Sequence, residues 1–385
     1  MKIVIAPDSF KESLSALEVA EVIAEAFAAH LPDAQFVKVP VADGGEGTVQ
    51  SMVDATAGEI IHKTVTGPMG QPVAAHYGIL GADSSFGANT AVIEMAAASG
   101  LHHVVAAERN PLLSTSYGTG ELIADALDRG IRHIILGLGG SATNDGGAGM
   151  IQALGYQLLD KHGQALPAGG AALAELRNIN VVRQHPALAE CTFDVACDVD
   201  NPLCGERGAS TIFGPQKGAT ADMVQQLDAA LAHFAHVAEQ QGFRDAQHTA
   251  GAGAAGGMGF GVMTFLEGTL RPGVDIVMQA VGLADKVAGA DLVITGEGRI
   301  DGQTVFGKTP MGVLRVAKQQ QVPVIGIAGC LGEGADKMLE QGMCAIFDII
   351  PSASDLAQAL ANARPNLHRA ASNIAAVWRL GLQHH

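Results

Sequence analysis

Aromatic residues are scarce, at 4% of 385 positions, so the cores of this chain must be built mainly from aliphatic side chains. Charged residues are also few, at 16%, while 48% of the chain is apolar, which excludes general disorder. The five cysteines (Cys191, Cys197, Cys204, Cys330, Cys344) are odd in number and form no C-x-x-C pair. That spacing suggests neither a zinc site nor a disulfide framework, and reduced thiols are expected. The fourteen histidines show no H-x-x-x-H or H-E-x-x-H arrangement, which removes zinc-type hydrolysis. No apolar run reaches the roughly 18 residues of a membrane span, and the run Lys2-Ile3-Val4-Ile5-Ala6-Pro7 is too short for a signal peptide. A cytoplasmic protein with no membrane partner is expected. The formal charge of −16, without a long Lys/Arg cluster, disfavours nucleic acid as a partner. It leaves room for a small anion, because a few basic side chains in a cleft can dominate the local field.

What is present is rhythm. Residues 2–6 read as a strand, followed by a polar turn and an amphipathic stretch from Ala16 to His30; Gln35 to Val41 is strand-like again and Val49 to Ala57 helical. The same β-α alternation returns after Asp275, with strands at Leu292–Thr295, Val322–Ile327 and Ala345–Ile350, and helices at Pro310–Lys318 and Lys337–Gln341. Between them, His62 to Met95 alternates in the manner of antiparallel strands. A helix at Gly120–Arg129, a strand at Ile131–Leu136, another at Thr192–Cys197 and a helix at Ala221–Gln240 follow. The expectation is an α/β protein of two domains: a discontinuous parallel-sheet domain, residues 1–62 plus 286–385, interrupted by an α+β domain, residues 63–285.

Glycine accounts for 49 residues, so glycine motifs must be judged by their context. Gly302-Gln303-Thr304-Val305-Phe306-Gly307-Lys308-Thr309 spells a P-loop, yet Gly296 to Asp301 separate it from its strand. What survives is an anion-friendly helix start, with Thr309 able to cap, Pro310 suited to the first helical position and Lys308 nearby. Gly137-Leu138-Gly139 resembles a dinucleotide fingerprint, which would make the chain a dehydrogenase. Its loop is, however, rich in oxygen and amide groups (Ser141, Thr143, Asn144, Asp145) that suit hydroxyl or metal-water contacts equally well. The Gly/Ala run 249–261 has no strand before it and reads as a flexible or closely packed backbone segment.

The best-placed motif is Asp43-Gly44-Gly45-Glu46-Gly47-Thr48, at the C-terminal end of a strand, where open α/β sheets place their ligands. Two carboxylates beside glycine amides, with Thr48 able to cap the next helix, fit a Mg²⁺-nucleotide and an ionising hydroxyl; a plain Asp-Gly turn is the alternative. Asp8 and Lys11 follow the first strand. Glu297, Arg299, Asp301 and Lys308 form the densest charge grouping after a buried-type strand, and Asp198 and Asp200 follow another.

The runs Ile5-Ala6-Pro7-Asp8-Ser9-Phe10-Lys11-Glu12-Ser13-Leu14 and Pro40-Val41-Ala42-Asp43-Gly44-Gly45-Glu46-Gly47-Thr48 resemble those of the bacterial type I glycerate kinases. The likeness continues through Glu108-Arg109-Asn110-Pro111, Ser116 to Glu121, Gly139 to Gly147, Thr295 to Asp301 and Phe306 to Pro310, in order along nearly the whole chain. The resemblance implies ATP- and Mg²⁺-dependent phosphorylation of D-glycerate, usually to 2-phosphoglycerate. It also implies a flavodoxin-like domain and a restriction-enzyme-like domain with the site between them.

Phosphoryl transfer demands positioning and charge neutralisation more than covalent help. On that basis Asp43 or Asp198 is expected to accept the glycerate hydroxyl proton. Lys11, Arg299 and Lys308 would neutralise substrate and phosphate oxygens, and Glu297, Asp301 or Asp145 would position Mg²⁺. Amides at Gly44, Gly45, Gly139 and Gly140, with Ser141 and Asn144, would hold the ATP phosphates. A kinase of another small hydroxy acid and a non-catalytic nucleotide- or sugar-acid-binding protein are the alternatives.

Overall fold

The computed structural model describes residues 1–352 and 355–383. The chain divides into two compact units, the first made of Met1–Gly58, Leu80–Ala88 and Val274–His385, the second of Glu59–Ile79 and Asn89–Gly273.

The first unit is built on a five-stranded parallel sheet, ordered Ala345–Asp348, Val324–Ala328, Leu292–Gly296, Lys2–Pro7 and Gln35–Lys38. Counted along the unit, that order is the flavodoxin-like 2-1-3-4-5. Its central strands are continuous apolar runs because helices cover both faces: every residue of Leu292–Gly296 and Val324–Ala328 is buried. The first helix, Ala16–Ala28, starts at a capping box, in which Ser15 Oγ accepts from the Glu18 amide and Glu18 accepts from the Ser15 amide. Its apolar stripe (Val19, Ala20, Ile23, Ala26, Phe27) meets Leu367, Ala371 and Ala375 of the long helix Ala363–Gln383. Phe27 is fully buried there, and its truncation to alanine would cost about 3–5 kcal/mol. The Leu80–Ala88 segment is tied into the same unit by Ser85 N–H donating to Ala280 O at 3.0 Å and Gly81 N–H to Thr56 Oγ1 at 3.2 Å.

The second unit holds a six-stranded mixed sheet, ordered Thr269–Arg271, Thr192–Ala196, His133–Gly137, Thr90–Glu94, Pro72–Ile79 and Glu59–Thr66. The first four strands run parallel and the last two add antiparallel, as the alternation over His62–Met95 predicts. Although aromatics are few, they are concentrated here: Phe234 stacks on Phe265 at 5.5 Å, and Phe243, Phe260 and Tyr156 meet Phe265 edge-on. Both cores are mainly aliphatic, as composition leads one to expect; the first adds Phe10 and Phe27, and the second adds this aromatic cluster. The helices Tyr117–Asp128 and Ala148–Ala153 approach closely at Gly120, where a Cβ would lie 2.2 Å from Met150 O. The Gly/Ala run is closely packed rather than flexible: it forms the helix Ala254–Phe265, with left-handed backbone at Ala255–Gly257. A Cβ on Gly256 would sit 1.9 Å from Thr143 O, so the run is glycine-rich because it lies against the loop that follows His133–Gly137.

Candidate functional site

In the first unit, the topological switch point lies between strands Lys2–Pro7 and Leu292–Gly296, and the residues just beyond their C-terminal ends are Asp8 and Glu297. Asp8 N–H donates to Gly296 O at 2.8 Å, so the ladder carries the two acidic residues out of the sheet side by side. On the other side, Val39 and Val41 donate to Ile5 O and Pro7 O, which brings the Asp43 loop to the same sheet end. Gly44 and Gly47 adopt φ of 98° and 86°, turning the chain sharply, and Gly45 N–H donates to Asp43 Oδ1 at 3.0 Å. The helix Thr48–Thr56 follows with Gly47 in the cap position. Thr48 therefore does not cap; its hydroxyl is buried without a hydrogen-bond partner among the described residues.

These carboxylates disturb one another. Burial pushes Asp8 up to about 6, the Asp43 charge adds to the rise, and the Thr309 hydroxyl, donating at 2.6 Å, opposes it. Glu297, 8% exposed, is pushed up to about 7 by burial and by the charges of Asp8 and Asp43. Thr304 Oγ1, donating at 2.6 Å, and the Lys308 ammonium, 3.9 Å away, counteract only part of this. Thr304 also accepts from the Asp301 amide, so Asp301 joins the group, with its carboxylate 3.1 Å from Arg299. Lys308 occupies the N-cap of the helix Thr309–Gln319, with Pro310 in its first turn. Thr309, expected as the cap, instead spends its hydroxyl on Asp8 because the chain enters the helix one residue earlier. A helix N-terminus and a lysine beside negative charge suit an anion. Lys11 is exposed on the rim of a pocket of about 390 Å³, lined also by Ser9, Ser13, Glu46 and Gly47.

No group of three or more His, Cys, Asp or Glu among the described residues is gathered tightly enough to cage a metal ion by itself. Oxygen donors that crowd without closing suit Mg²⁺, which keeps several waters and takes further ligands from phosphate. The donors present here, Asp8, Asp43 and Glu297, are all carboxylate oxygens, the ligand type that Mg²⁺ takes.

In the second unit, the loop after His133–Gly137 does not lead straight into a helix as a dinucleotide fingerprint requires; ten residues intervene before Ala148–Ala153. Gly139 and Gly140 are exposed, whereas Ser141 to Asp145 are buried. Asp145 accepts from Ser116 N–H and Oγ, both at 2.8 Å, from Gly147 N–H at 3.1 Å and from Gly149 N–H at 3.2 Å. Burial raises its pKa, and these donors oppose the rise. Asn144 donates to Ser210 Oγ at 2.9 Å. Asp198 accepts from Gly273 N–H at 3.0 Å, and Asp200 pairs with Arg207 at 2.7 Å.

Sequence reasoning did not single out Thr304 as a partner of Glu297, nor Ser116, nor Lys217, which is 2% exposed and donates to Ser141 Oγ and Thr143 O. Lys217 lies in a short Pro-Gln-Lys-Gly turn that reads as surface, so no periodicity or motif marks it.

The chain matches a model of the glycerate kinase family over residues 3–379. It is 55% identical to a glycerate kinase of Bacillus subtilis (strain 168), over 99% of this chain and 98% of that protein. It is 51% identical to a glycerate 2-kinase of Escherichia coli (strain K12), over 100% and 99% respectively. A crystal structure of a candidate glycerate kinase 2 from Salmonella typhimurium LT2 superposes with a TM-score of 0.91 at 52% identity, covering 100% of this chain and 99% of that one.

Proposed function

Because the chain belongs to the glycerate kinase family, we propose that it transfers the γ-phosphoryl group of ATP directly to the 2-hydroxyl of D-glycerate, with Mg²⁺ as the metal. The observation that carries this reading is the convergence of Asp8, Asp43 and Glu297 at the switch point of the first unit, with too little cationic charge of their own. Asp8 and Glu297 are raised first by burial and further by neighbouring carboxylate charge, and a divalent ion bound there would offset that charge and screen the charge that develops on the transferred group. The name of the Escherichia coli relative supports the 2-hydroxyl over the 3-hydroxyl.

In this proposal Glu297 and Asp8 are the carboxylates offered to Mg²⁺, with Asp301 behind them through Thr304. Asp43 takes the proton of the reacting hydroxyl, with Asp198 the second candidate for that proton. Lys308, at the helix start, and the amide of Gly44 neutralise phosphate oxygens, while the Gly45 amide is spent on Asp43 Oδ1 and holds that side chain in place. Lys11 and Arg299, both exposed, draw in the glycerate carboxylate. Gly139, Gly140, Ser141 and Asn144 serve the ATP phosphates. Asp145, whose two oxygens already accept four hydrogen bonds, is better suited to holding that loop than to binding the metal. The reaction needs ATP, so the proposal is of a cytoplasmic enzyme.

Incubation with ATP, Mg²⁺ and D-glycerate, followed by ³¹P and ¹³C NMR, tests the reading. The expected product is 2-phosphoglycerate. The 3-phosphate would overturn the regiochemistry alone, and no phosphoglycerate would overturn the function.

A further inference from the structure

Lysine is almost never fully buried unless something holds its charge, and Lys217 is 2% exposed. Its ammonium donates to Ser141 Oγ at 2.8 Å and to Thr143 O at 2.7 Å. Burial pulls its pKa down to about 7, against the opposing pull of the Asp145 charge. Removing a cation from water at this cost is poorly explained by packing alone, since an apolar side chain of similar volume would serve a core at least as well.

The geometry of the acceptors is informative. Both belong to the arc that begins at the exposed Gly139-Gly140 pair and runs down into the second unit. Ser141 Oγ, by accepting from an ammonium, has one lone pair engaged and its proton left to donate, and no acceptor for that proton appears among the described residues. A hydroxyl that accepts from a cation is also a stronger donor, because hydrogen bonds in a chain polarise one another. Two more side-chain oxygens of the same arc, Thr143 Oγ1 and Asn144 Oδ1, are buried with no hydrogen-bond partner among the described residues. The arc is thus held from beneath and incompletely satisfied within itself.

We propose that Lys217 is a positioning residue for nucleotide binding, fixing Ser141 as a hydrogen-bond donor to a phosphate oxygen of the donor nucleotide. This rests on the assignment of the Gly139–Asn144 arc to ATP. Lys217 touches no substrate itself; it sets the direction and strength of the Ser141 hydroxyl and holds the arc through Thr143 O.

Lys217→Met, Ser141→Ala and the double variant test it, with Mg²⁺-ATP affinity read by calorimetry and the KM for each substrate read from initial rates. Each single change is expected to weaken ATP binding and raise its KM by about tenfold or more, the worth of a charge-assisted hydrogen bond. The KM for glycerate should stay within about twofold, and the double variant should be no worse than the weaker-binding single, because the two residues act through one hydroxyl. A folded Lys217→Met protein with unchanged ATP affinity overturns the proposal, as do single effects that multiply in the double variant. If Lys217→Met does not fold, Ser141→Ala decides: unchanged ATP affinity there overturns it equally. Calorimetry needs no turnover, so wild-type protein that binds ATP but leaves glycerate unphosphorylated would sink the proposed reaction and not this inference.

Discussion

The two units contain the same local device used in opposite ways. Each places an Asp-Gly-Gly turn after a strand and before a helix: Asp43-Gly44-Gly45 in the first, Asp145-Gly146-Gly147 in the second. In both, the aspartate Oδ1 accepts from the amide two residues on, at 3.0 Å and 3.1 Å. The difference lies in the surroundings. Asp145 is 1% exposed, and its second oxygen takes three further donors, two of them from Ser116. Asp43 is only partly buried and is accompanied by Asp8 and Glu297, whose own protonation its charge disturbs. A carboxylate supplied with donors braces a loop; one supplied with other carboxylates leaves the protein in need of a cation. The motif alone does not say which.

The largest separation between the two turns should come from converting each aspartate to asparagine. Asp43→Asn keeps an acceptor for the Gly45 amide and removes a charge that opposes ionisation of Asp8 and Glu297, so the fold should survive with a melting temperature no lower than the wild type's. Turnover of glycerate should fall by about 10²–10⁴, the usual worth of a general base. Near-normal turnover would remove Asp43 as the proton acceptor and pass the role to Asp198. Asp145→Asn should do the reverse. Its new NH₂ group faces donors, and breaking so buried a network should cost about 3–5 kcal/mol, seen in urea titration as an early loss of the second unit.

A smaller effect sharpens the same contrast. Ser116→Ala removes the hydroxyl that donates to Asp145 Oδ2 and accepts from Met150 N–H at 2.9 Å, leaving a buried amide unmet. A loss of about 1–3 kcal/mol in stability is expected. Unchanged stability would mean that Asp145 is not braced as described and is free for another role.

Much of the first unit was legible because its signals are local. The strand at residues 2–6, the helix from Ala16 and the Asp43 loop at a strand end all follow from short-range periodicity and glycine placement. The charge grouping at Glu297–Lys308 was visible for the same reason, and the P-loop spelling could be discounted because Arg299–Ile300 and the turn after it separate strand from helix. What was not legible depends on partners far away in sequence. Ser84 Oγ meets Ala280 O across 196 residues, Thr309 meets Asp8 across 301, and Lys217 meets Ser141 across 76. Whether an Asp-Gly-Gly turn is closed or open is decided by such contacts, so the sequence places both turns without distinguishing them. The Gly/Ala run 249–261 is the converse case: its composition is a record of close approach to Thr143 and Asn144, which only the folded chain explains.

The mildest effect follows from the raised carboxylates. Glu297 and Asp8 ionise in the folded protein at about 7 and about 6, against ordinary values of 4.5 and 3.8. For an acid whose folded pKa is raised, the stabilising contribution is full below its unfolded value, where both states are protonated, and is lost as pH rises through the folded one. The metal-free protein should therefore lose stability through these groups as pH rises from about 4 to about 7, with little further loss above that. Glu297→Gln, permanently neutral, should melt a few degrees higher than the wild type at pH 8 and almost together with it at pH 5. All charges other than that of Glu297 are common to both proteins, so the difference between their melting curves isolates Glu297. The same substitution should abolish most activity, the usual trade between stability and a charged site. Melting curves that stay parallel from pH 5 to pH 8 would show that Glu297 is ordinarily ionised and already satisfied, and the open turn of the first unit would then be no different in kind from the closed one of the second.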